Sequence, residues 1–161
     1  MLHTICYAIE GILGAAEALK DEEFFAKAKL PADALLICVR PDGSIAGRLD
    51  GLWNPKVEWS CLTGDAQLAA VWFRMFAMTK NAVYQTAARR VLAFLKATQN
   101  CASSEPGLRG GIKGSYPFDG EYGRFEVLNW ATKFFVDALL LDEQLSDRSI
   151  VTMTESRAAM V

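Results

Sequence analysis

The sequence predicts an all-α fold of about five helices, in which apolar helices alternate with amphipathic ones. The first observation behind this prediction is an internal repeat. Ile45 and Gly47 stand 67 positions before Ile112 and Gly114, as the difference between 112 and 45 shows. The second is the spacing of apolar residues by three and four on both sides of these glycine-bearing loops, which is typical of helices. A repeating helical hairpin buries its apolar faces only against its neighbours, so the repeat predicts a layered helical architecture.

Composition narrows the class of protein. The chain has 161 residues, of which 52% are apolar and 22% charged, with a net charge of −2. These values fit one globular domain with a substantial core and argue against a disordered chain or a nucleic-acid surface. The four cysteines show neither CxxC nor Cys/His spacing, so we expect reduced thiols in a cytoplasmic protein, no metal site and no cofactor.

The first two helices are predicted over residues 2–19 and 21–39. Small residues separate Ile5, Ile9 and Ile12, so the first helix is apolar or small on most sides and is expected to be buried. It contains Glu10, follows no basic segment and is short for a membrane span, so neither a span nor a secretion signal is predicted. Pro31 predicts a kink in the second helix or its division into two segments.

Three further helices are predicted over residues 63–79, 82–98 and 128–144. Thr63 is a candidate cap for the third, and the fourth is clearly amphipathic. A short β-hairpin is expected in the loop 44–60, around residues 45–49. The loop 99–126 is rich in glycine and aromatic residues, and loops of this length usually carry a function or are disordered. Residues 1–145 are therefore predicted to form one domain of helical hairpins, and 146–161 a flexible C-terminal tail.

The first, third and fifth helices are of the apolar type, and the second and fourth are amphipathic. This inner–outer alternation predicts part of an α/α toroid, with the inner-helix N-termini gathered at one rim. Those N-termini direct backbone N–H groups and the positive end of the helix dipole toward a ligand. The ligand-binding candidates are the polar and aromatic residues at these helix starts and in the rim loops: His3, Tyr7, Trp59, Gln67, Lys113, Tyr116, Asn129, Trp130 and Lys133.

Each candidate side chain has a chemical interpretation and a structural alternative. His3 is the only histidine and would titrate near neutral pH, but it also fits a helix end without a role. The amides of Gln67 and Asn129 suit sugar hydroxyls, and they equally suit loop backbone. The aromatic residues stack on sugar rings or seal a small core.

Several kinds of active site are not indicated. The segment at 110–115, GGIKGS, does not match a phosphate-binding P-loop, because its lysine precedes the last glycine and no strand leads into it. Carboxylates flank the loops, yet no spacing selects the opposed pair that a glycosidase requires. No catalytic residue is assigned from the sequence.

Three segments carry a family resemblance: HTICYAIEGIL, SCLTGDAQLAAVWFRM, and RGGIKGSYP together with LNWATKFFVDALL. They resemble the C-terminal part of bacterial α/α-toroid proteins, over roughly residues 3–143. That group is similar in architecture to six-hairpin glycosidases, N-acylglucosamine 2-epimerases and the prenyltransferase/squalene-cyclase toroids. The resemblance implies about two and a half hairpins of a ring of about six. Because the rest of the ring would hold substrate, enzymatic activity is not expected of this chain alone.

Three functions follow as hypotheses. The first is carbohydrate-related: sugar binding, or a remnant glycosidase- or epimerase-like site at the inner-helix N-termini. The alternatives are a non-enzymatic dimeric interaction module and a binder of an apolar ligand. The expected partners are a second copy of the chain, through exposed apolar faces of the first and last helices, and a saccharide. Neither nucleic acid nor a membrane is expected as a partner.

Overall fold

A computed structural model describes the backbone of residues 1–158 and the side chains of residues 1–147. The described chain is mostly helical, as predicted, with five helices and a two-stranded antiparallel sheet. The elements in chain order are α1 (Leu2–Leu19), α2 (Glu22–Leu36), β1 (Ser60–Cys61), α3 (Leu62–Thr79), α4 (Ala82–Thr98), β2 (Ser115–Tyr116) and α5 (Asn129–Ala158).

The two helical hairpins turn in the same way. α1 ends at Lys20 and α3 ends at Lys80, each in the left-handed conformation that commonly terminates a helix. The next residue caps the following helix: Asp21 accepts a hydrogen bond from the Phe24 amide, and Asn81 accepts one from the Val83 amide. Such caps satisfy N–H groups that the helix leaves unpaired. Both hairpins are therefore closed by a left-handed residue followed by a side-chain cap.

The five helices form two layers. α3 lies between α1 and α5 and packs against both, so these three form one layer, here called the row helices. α2 and α4 form the second layer. The indole N–H of Trp72 on α3 donates to the Ala32 carbonyl of α2, and the Tyr84 hydroxyl of α4 donates to Asp33 of α2. The apolar helices of the sequence analysis are thus the row helices, and the amphipathic ones lie against them.

The sequence repeat is also a repeat of backbone hydrogen bonds. Gly47 donates its N–H to the Trp59 carbonyl at 2.8 Å, and Gly114 donates to the Glu126 carbonyl at 3.0 Å. Each partner pair is separated by the same 67 positions, as the differences between 114 and 47 and between 126 and 59 show. The β-bridges next to them repeat in the same way, as Ala46–Ser60 and Lys113–Val127.

The same two glycines hold the starts of two row helices. The Gly47 carbonyl accepts from the Leu2 amide at 2.9 Å, and the Gly114 carbonyl accepts from the Leu62 amide at 3.0 Å. A Cβ at Gly47 would lie 2.1 Å from the Trp59 ring, and one at Gly114 would lie 2.4 Å from the Tyr122 carbonyl oxygen. Only glycine permits such close approach. The repeated loops therefore fix where α1 and α3 begin.

Some local predictions require correction. The prediction that Thr63 caps α3 is wrong, because the N-cap residue is Cys61 and the Leu62 amide is bound by a loop carbonyl. Pro31 lies inside one continuous α2 and does not divide it. α5 does not end at residue 144 but continues to Ala158, so helix occupies most of the segment expected to be a tail. Residues 159–161 of that segment lie outside the described residues.

α1 has an ambiguous composition. Within the part of the chain that the structure describes, it is the one helix long and apolar enough to cross a membrane, with a mean hydropathy of 1.2 over Leu2–Leu19. Core helices of soluble proteins and signal sequences pass the same test. In this fold Cys6, Ile9 and Leu13 belong to the core cluster, so one flank of α1 is buried by protein.

Candidate functional site

An aromatic cluster forms where α1 and α5 begin. The His3 ring lies edge-on to the Tyr122 ring at 4.5 Å between centroids, and the Tyr7 ring lies 6.1 Å from that of His3. The Trp130 indole N–H donates to the Tyr122 hydroxyl at 3.0 Å. Three of the predicted ligand-binding residues are thus brought together. Tyr122 was not among them, although the aromatic enrichment of the loop 99–126 pointed to this segment.

A second ring contact crosses the face of α3. Tyr7 on α1 and Phe134 on α5 meet edge to face at 5.7 Å between centroids. Because α1 and α5 lie on opposite sides of α3, this contact spans the middle helix. Tyr7, Gln67 and Phe134 each stand five positions after the first residue of their helix, counted from residues 2, 62 and 129. We call Tyr7 and Phe134 the aromatic cover, because their rings meet across α3 at the helix position that Gln67 has in α3.

The polar side chains of α3 at this level are buried and unpaired. Gln67 is 1% exposed, and neither of its amide atoms has a hydrogen-bond partner among the described residues. The Thr63 hydroxyl, one turn earlier on the same face, is also buried and unpaired. Buried polar groups are nearly always hydrogen-bonded, and each one left unpaired costs about 1–3 kcal/mol. The start of α3 therefore has hydrogen-bonding capacity that the protein does not use.

We call the side of the row helices away from α2 and α4 the open face. Charged residues border the aromatic cover on this face. Lys133 pairs with Asp137 at 2.6 Å. This hydrogen bond raises the pKa of Lys133, and the nearby charge of Glu10 adds to the effect. Glu10, Ala70 and Asp137 each stand eight positions after the first residue of their helix. They line an open depression of about 360 Å³ together with Arg74, Leu140, Leu141 and Gln144.

The surroundings of His3 favour its neutral form. Burial lowers the pKa of its imidazole below the usual 6.5, and the positive chain terminus lowers it further. Its Nδ1 lies 3.2 Å from the Thr4 hydroxyl. A neutral imidazole both donates and accepts a hydrogen bond, which suits a hydroxyl-bearing ligand.

Two other predicted residues lie at a different place. Lys113 donates to the Thr98 carbonyl at 3.3 Å. The Tyr116 ring packs edge-on against Phe94 of α4 at 5.7 Å and is half-exposed. These side chains lie beside α4, so the structure does not bring them to the aromatic cover.

The last two predicted residues lie at the end of the first repeated loop and at the first position of α5. Trp59 packs over Gly47, and the Arg48 guanidinium lies 5.9 Å from its ring centroid, so this indole supports the first repeated loop. Asn129 is exposed as the first residue of α5. Of the nine predicted residues, Tyr7 belongs to the aromatic cover, His3 and Lys133 contact its rings, Trp130 is linked to His3 through Tyr122, and Gln67 has the equivalent position in α3.

A buried carboxyl lies behind the site. Asp65 is fully buried on α3, and the Ser60 hydroxyl donates a hydrogen bond to it. Burial raises the pKa of Asp65 well above its usual 3.8, although Ser60 and the charge of Arg40 favour the ionised form. The residue 67 positions later, Thr132, accepts the Ile112 amide at 3.0 Å. Both side chains tie a repeated loop to a row helix.

The described residues include no group of three or more His, Cys, Asp or Glu side chains placed to hold a metal ion. Cys6, Cys38, Cys61 and Cys101 are free thiols. Burial raises the pKa of Cys61 to about 12 and that of Cys6 well above its usual value, so neither is a reactive thiolate at neutral pH.

Comparison with known proteins identifies no relative. No protein-family model matches this chain, and no curated protein or solved structure matches it.

Proposed function

We propose that the chain is part of an α/α toroid and that its open face binds a saccharide at the starts of the row helices. Two features support the architecture: the alternation of row helices with the α2 and α4 layer, and the 67-residue repeat of loop hydrogen bonds. In such a toroid the row helices are the inner helices, so their starts and their open face would line the central cavity.

We infer the class of ligand from two features together. Aromatic rings are exposed at the starts of the row helices, and the buried amide of Gln67 has no hydrogen-bond partner among the described residues. Saccharides present apolar ring faces that stack on aromatic side chains and hydroxyls that need donors and acceptors. Tyr7 is 51% exposed and Trp130 is half-exposed, so both offer a stacking surface. Gln67 and Thr63 would supply hydrogen bonds to a hydroxyl that displaces the Tyr7 ring.

The charged residues fit the same ligand. Carboxylates and ammonium groups make strong, charge-assisted hydrogen bonds to hydroxyls. Glu10 and Asp137 line the open depression, and Lys133 forms an ion pair with Asp137. We propose binding without catalysis, since Asp137, one of the two carboxylates that line this depression, is engaged by Lys133.

Titration with a panel of mono- and oligosaccharides, followed by tryptophan fluorescence and calorimetry, tests the proposal. We expect a fluorescence change that Trp130→Phe abolishes. Gln67→Met, which keeps the shape but not the amide, should weaken binding about tenfold through loss of its hydrogen bonds. Tyr116→Ala is the matched control, because it removes a half-exposed ring beside α4. A panel without hits, or an equal effect of the control, would refute saccharide binding at this face.

A non-enzymatic interaction module is the second candidate. It is favoured by Val136 and Leu140, two large apolar side chains of α5 that are about half-exposed. Exposed apolar residues on neighbouring turns of one helix are typical of protein interfaces. This function needs no ligand at the aromatic cover, so loss of association without loss of sugar binding would separate the two candidates.

A further inference from the structure

Each of the two outermost row helices has one covered flank and one bare flank. On α1 the covered flank contains Cys6, Ile9 and Leu13, whereas Ala8 and Gly11 are exposed. On α5 the covered flank contains Ala131, Phe135 and Ala138, and the bare flank contains Lys133, Val136 and Leu140. We call the bare flanks the α1 flank and the α5 flank.

The α1 flank matches a buried flank of α3. Ala8 and Gly11 stand six and nine positions after the first residue of α1, as Leu68 and Val71 do in α3. Leu68 and Val71 are buried in the core. Two residues after its start, α3 carries Gly64, where an added Cβ would lie 2.7 Å from the Leu2 side chain. The side of α3 that receives α1 is therefore built from the positions that α1 leaves bare.

The α5 flank matches the opposite side of α3. Val136 and Leu140 stand seven and eleven positions after the first residue of α5, as Ala69 and Phe73 do in α3. Ala69 and Phe73 are fully buried. Residues at these positions lie on the side of the helix away from Leu68 and Val71, because successive positions turn by about 100°.

We propose that a second copy of this chain covers both flanks, with α5 of one copy packed head to tail on α1 of the other. This contact continues the α1–α3 and α3–α5 interfaces and uses the same helix positions. Its sides differ in size in a complementary way: Ala8 and Gly11 leave room for close approach, and Leu140, 49% exposed, projects from α5. When each copy supplies α5 to the other's α1, the result is a homodimer in which six row helices are joined.

Two variants test the contact. Gly11→Glu blocks the α1 flank, where nothing lies within 4 Å of an added Cβ, and Leu140→Glu blocks the α5 flank. Leu30→Glu is the matched control, on α2 and 73% exposed. In sedimentation, we expect the wild type and the control to dimerise, and each flank variant alone to dimerise at least about tenfold more weakly. Circular dichroism would verify that every variant folds.

Mixing identifies the arrangement. An equimolar mixture of the Gly11→Glu and Leu140→Glu variants retains one intact α1 flank and one intact α5 flank, so it should recover a dimer containing one copy of each. A contact between like flanks predicts instead that one of the variants dimerises by itself, and that result would overturn the head-to-tail arrangement. A wild type that stays monomeric to about 100 µM would overturn the proposal as a whole, since even weak specific interfaces associate at that concentration.

Discussion

The ring of Tyr7 meets the ring of Phe134 at 5.7 Å between centroids, and both residues stand as many positions after the start of their helix as Gln67 does in α3. The contact joins α1 to α5, and the buried amide of Gln67 has no hydrogen-bond partner among the described residues. An aromatic pair of this kind is stabilising, whereas an unpaired buried amide is destabilising. Replacing the Gln67 amide and removing the Tyr7 ring should therefore change the free energy of unfolding in opposite directions.

Replacing the amide with an apolar side chain should stabilise the fold. In Gln67→Leu the unpaired donor and acceptor disappear while most of the volume remains, so the free energy of unfolding should rise by about 1 kcal/mol or more. Urea denaturation measures this change. Gln144→Leu is the control: Gln144 is exposed on α5, and its replacement should change stability by no more than about 0.5 kcal/mol. A destabilised Gln67→Leu variant would show that the amide has a partner in solution.

Removing a ring of the aromatic cover should lower the free energy of unfolding by less than removing a ring from an equivalent pair elsewhere. Tyr7→Ala and Tyr116→Ala each lose an edge-to-face contact at 5.7 Å and a half-exposed ring. Each loss is about 0.5–1.5 kcal/mol beyond the buried area. Because Tyr7 has the helix position in α1 that Gln67 has in α3, we expect only Tyr7→Ala to let water reach the Gln67 amide, which offsets part of the loss. Urea unfolding of the two variants should therefore rank Tyr116→Ala as the less stable, and in the Gln67→Leu background that difference should shrink.

The two repeated glycines should be intolerant of a methyl group. In Gly114→Ala the new Cβ would meet backbone at 2.4 Å, and in Gly47→Ala it would meet the Trp59 ring at 2.1 Å. Overpacking of this kind costs about 1–3 kcal/mol, and Gly114→Ala should cost more because backbone cannot rotate away. Gly11→Ala, with open space at its Cβ, should instead stabilise α1 by about 0.5–1 kcal/mol. Thermal unfolding of the three variants would verify this order.

Stability should fall as the pH rises past the ordinary range of a carboxyl group, because of Asp65. Its pKa is raised in the folded state, so the folded protein keeps a proton that the unfolded chain releases above about its usual 3.8. The stabilisation is complete below that pH and is lost as the pH rises toward the folded pKa. Asp65→Asn keeps an acceptor for Ser60 but does not titrate. Between pH 4 and pH 8, the free energy of unfolding of the variant should increase relative to that of the wild type as the pH rises. A difference that does not change with pH would contradict the raised pKa of Asp65.

Helix positions and the repeat were predictable because both depend on residues close together in the chain. Apolar spacing placed α1 at residues 2–19 and α4 at 82–98, which are their bounds in the structure. Errors arose where a distant partner decides the outcome. Thr63 has the residue type of a cap, but the Gly114 carbonyl binds the first amide of α3, so the helix begins one residue earlier.

The site residues divide in the same way. Residue type and helix position predicted His3, Tyr7 and Gln67 as members of one site, and the structure places the ring of His3 beside that of Tyr7. Whether Lys113 and Tyr116 belong to it depends on how the loop 99–126 crosses α4, and local pattern does not encode that path. Tyr122, from the same loop, reaches His3 because the Gly114 turn brings the loop back over the start of α3.

The amino-acid sequence by itself determined the helices, their alternation and the 67-residue repeat, because periodic burial and tight glycine turns are local properties of the chain. Only the tertiary structure decided that Gln67 is buried without a hydrogen-bond partner among the described residues. It also brought together the rings of Tyr7 and Phe134, which lie 127 positions apart as the difference between 134 and 7 shows. Side chains that far apart in sequence meet through the packing of whole helices, which no local pattern encodes.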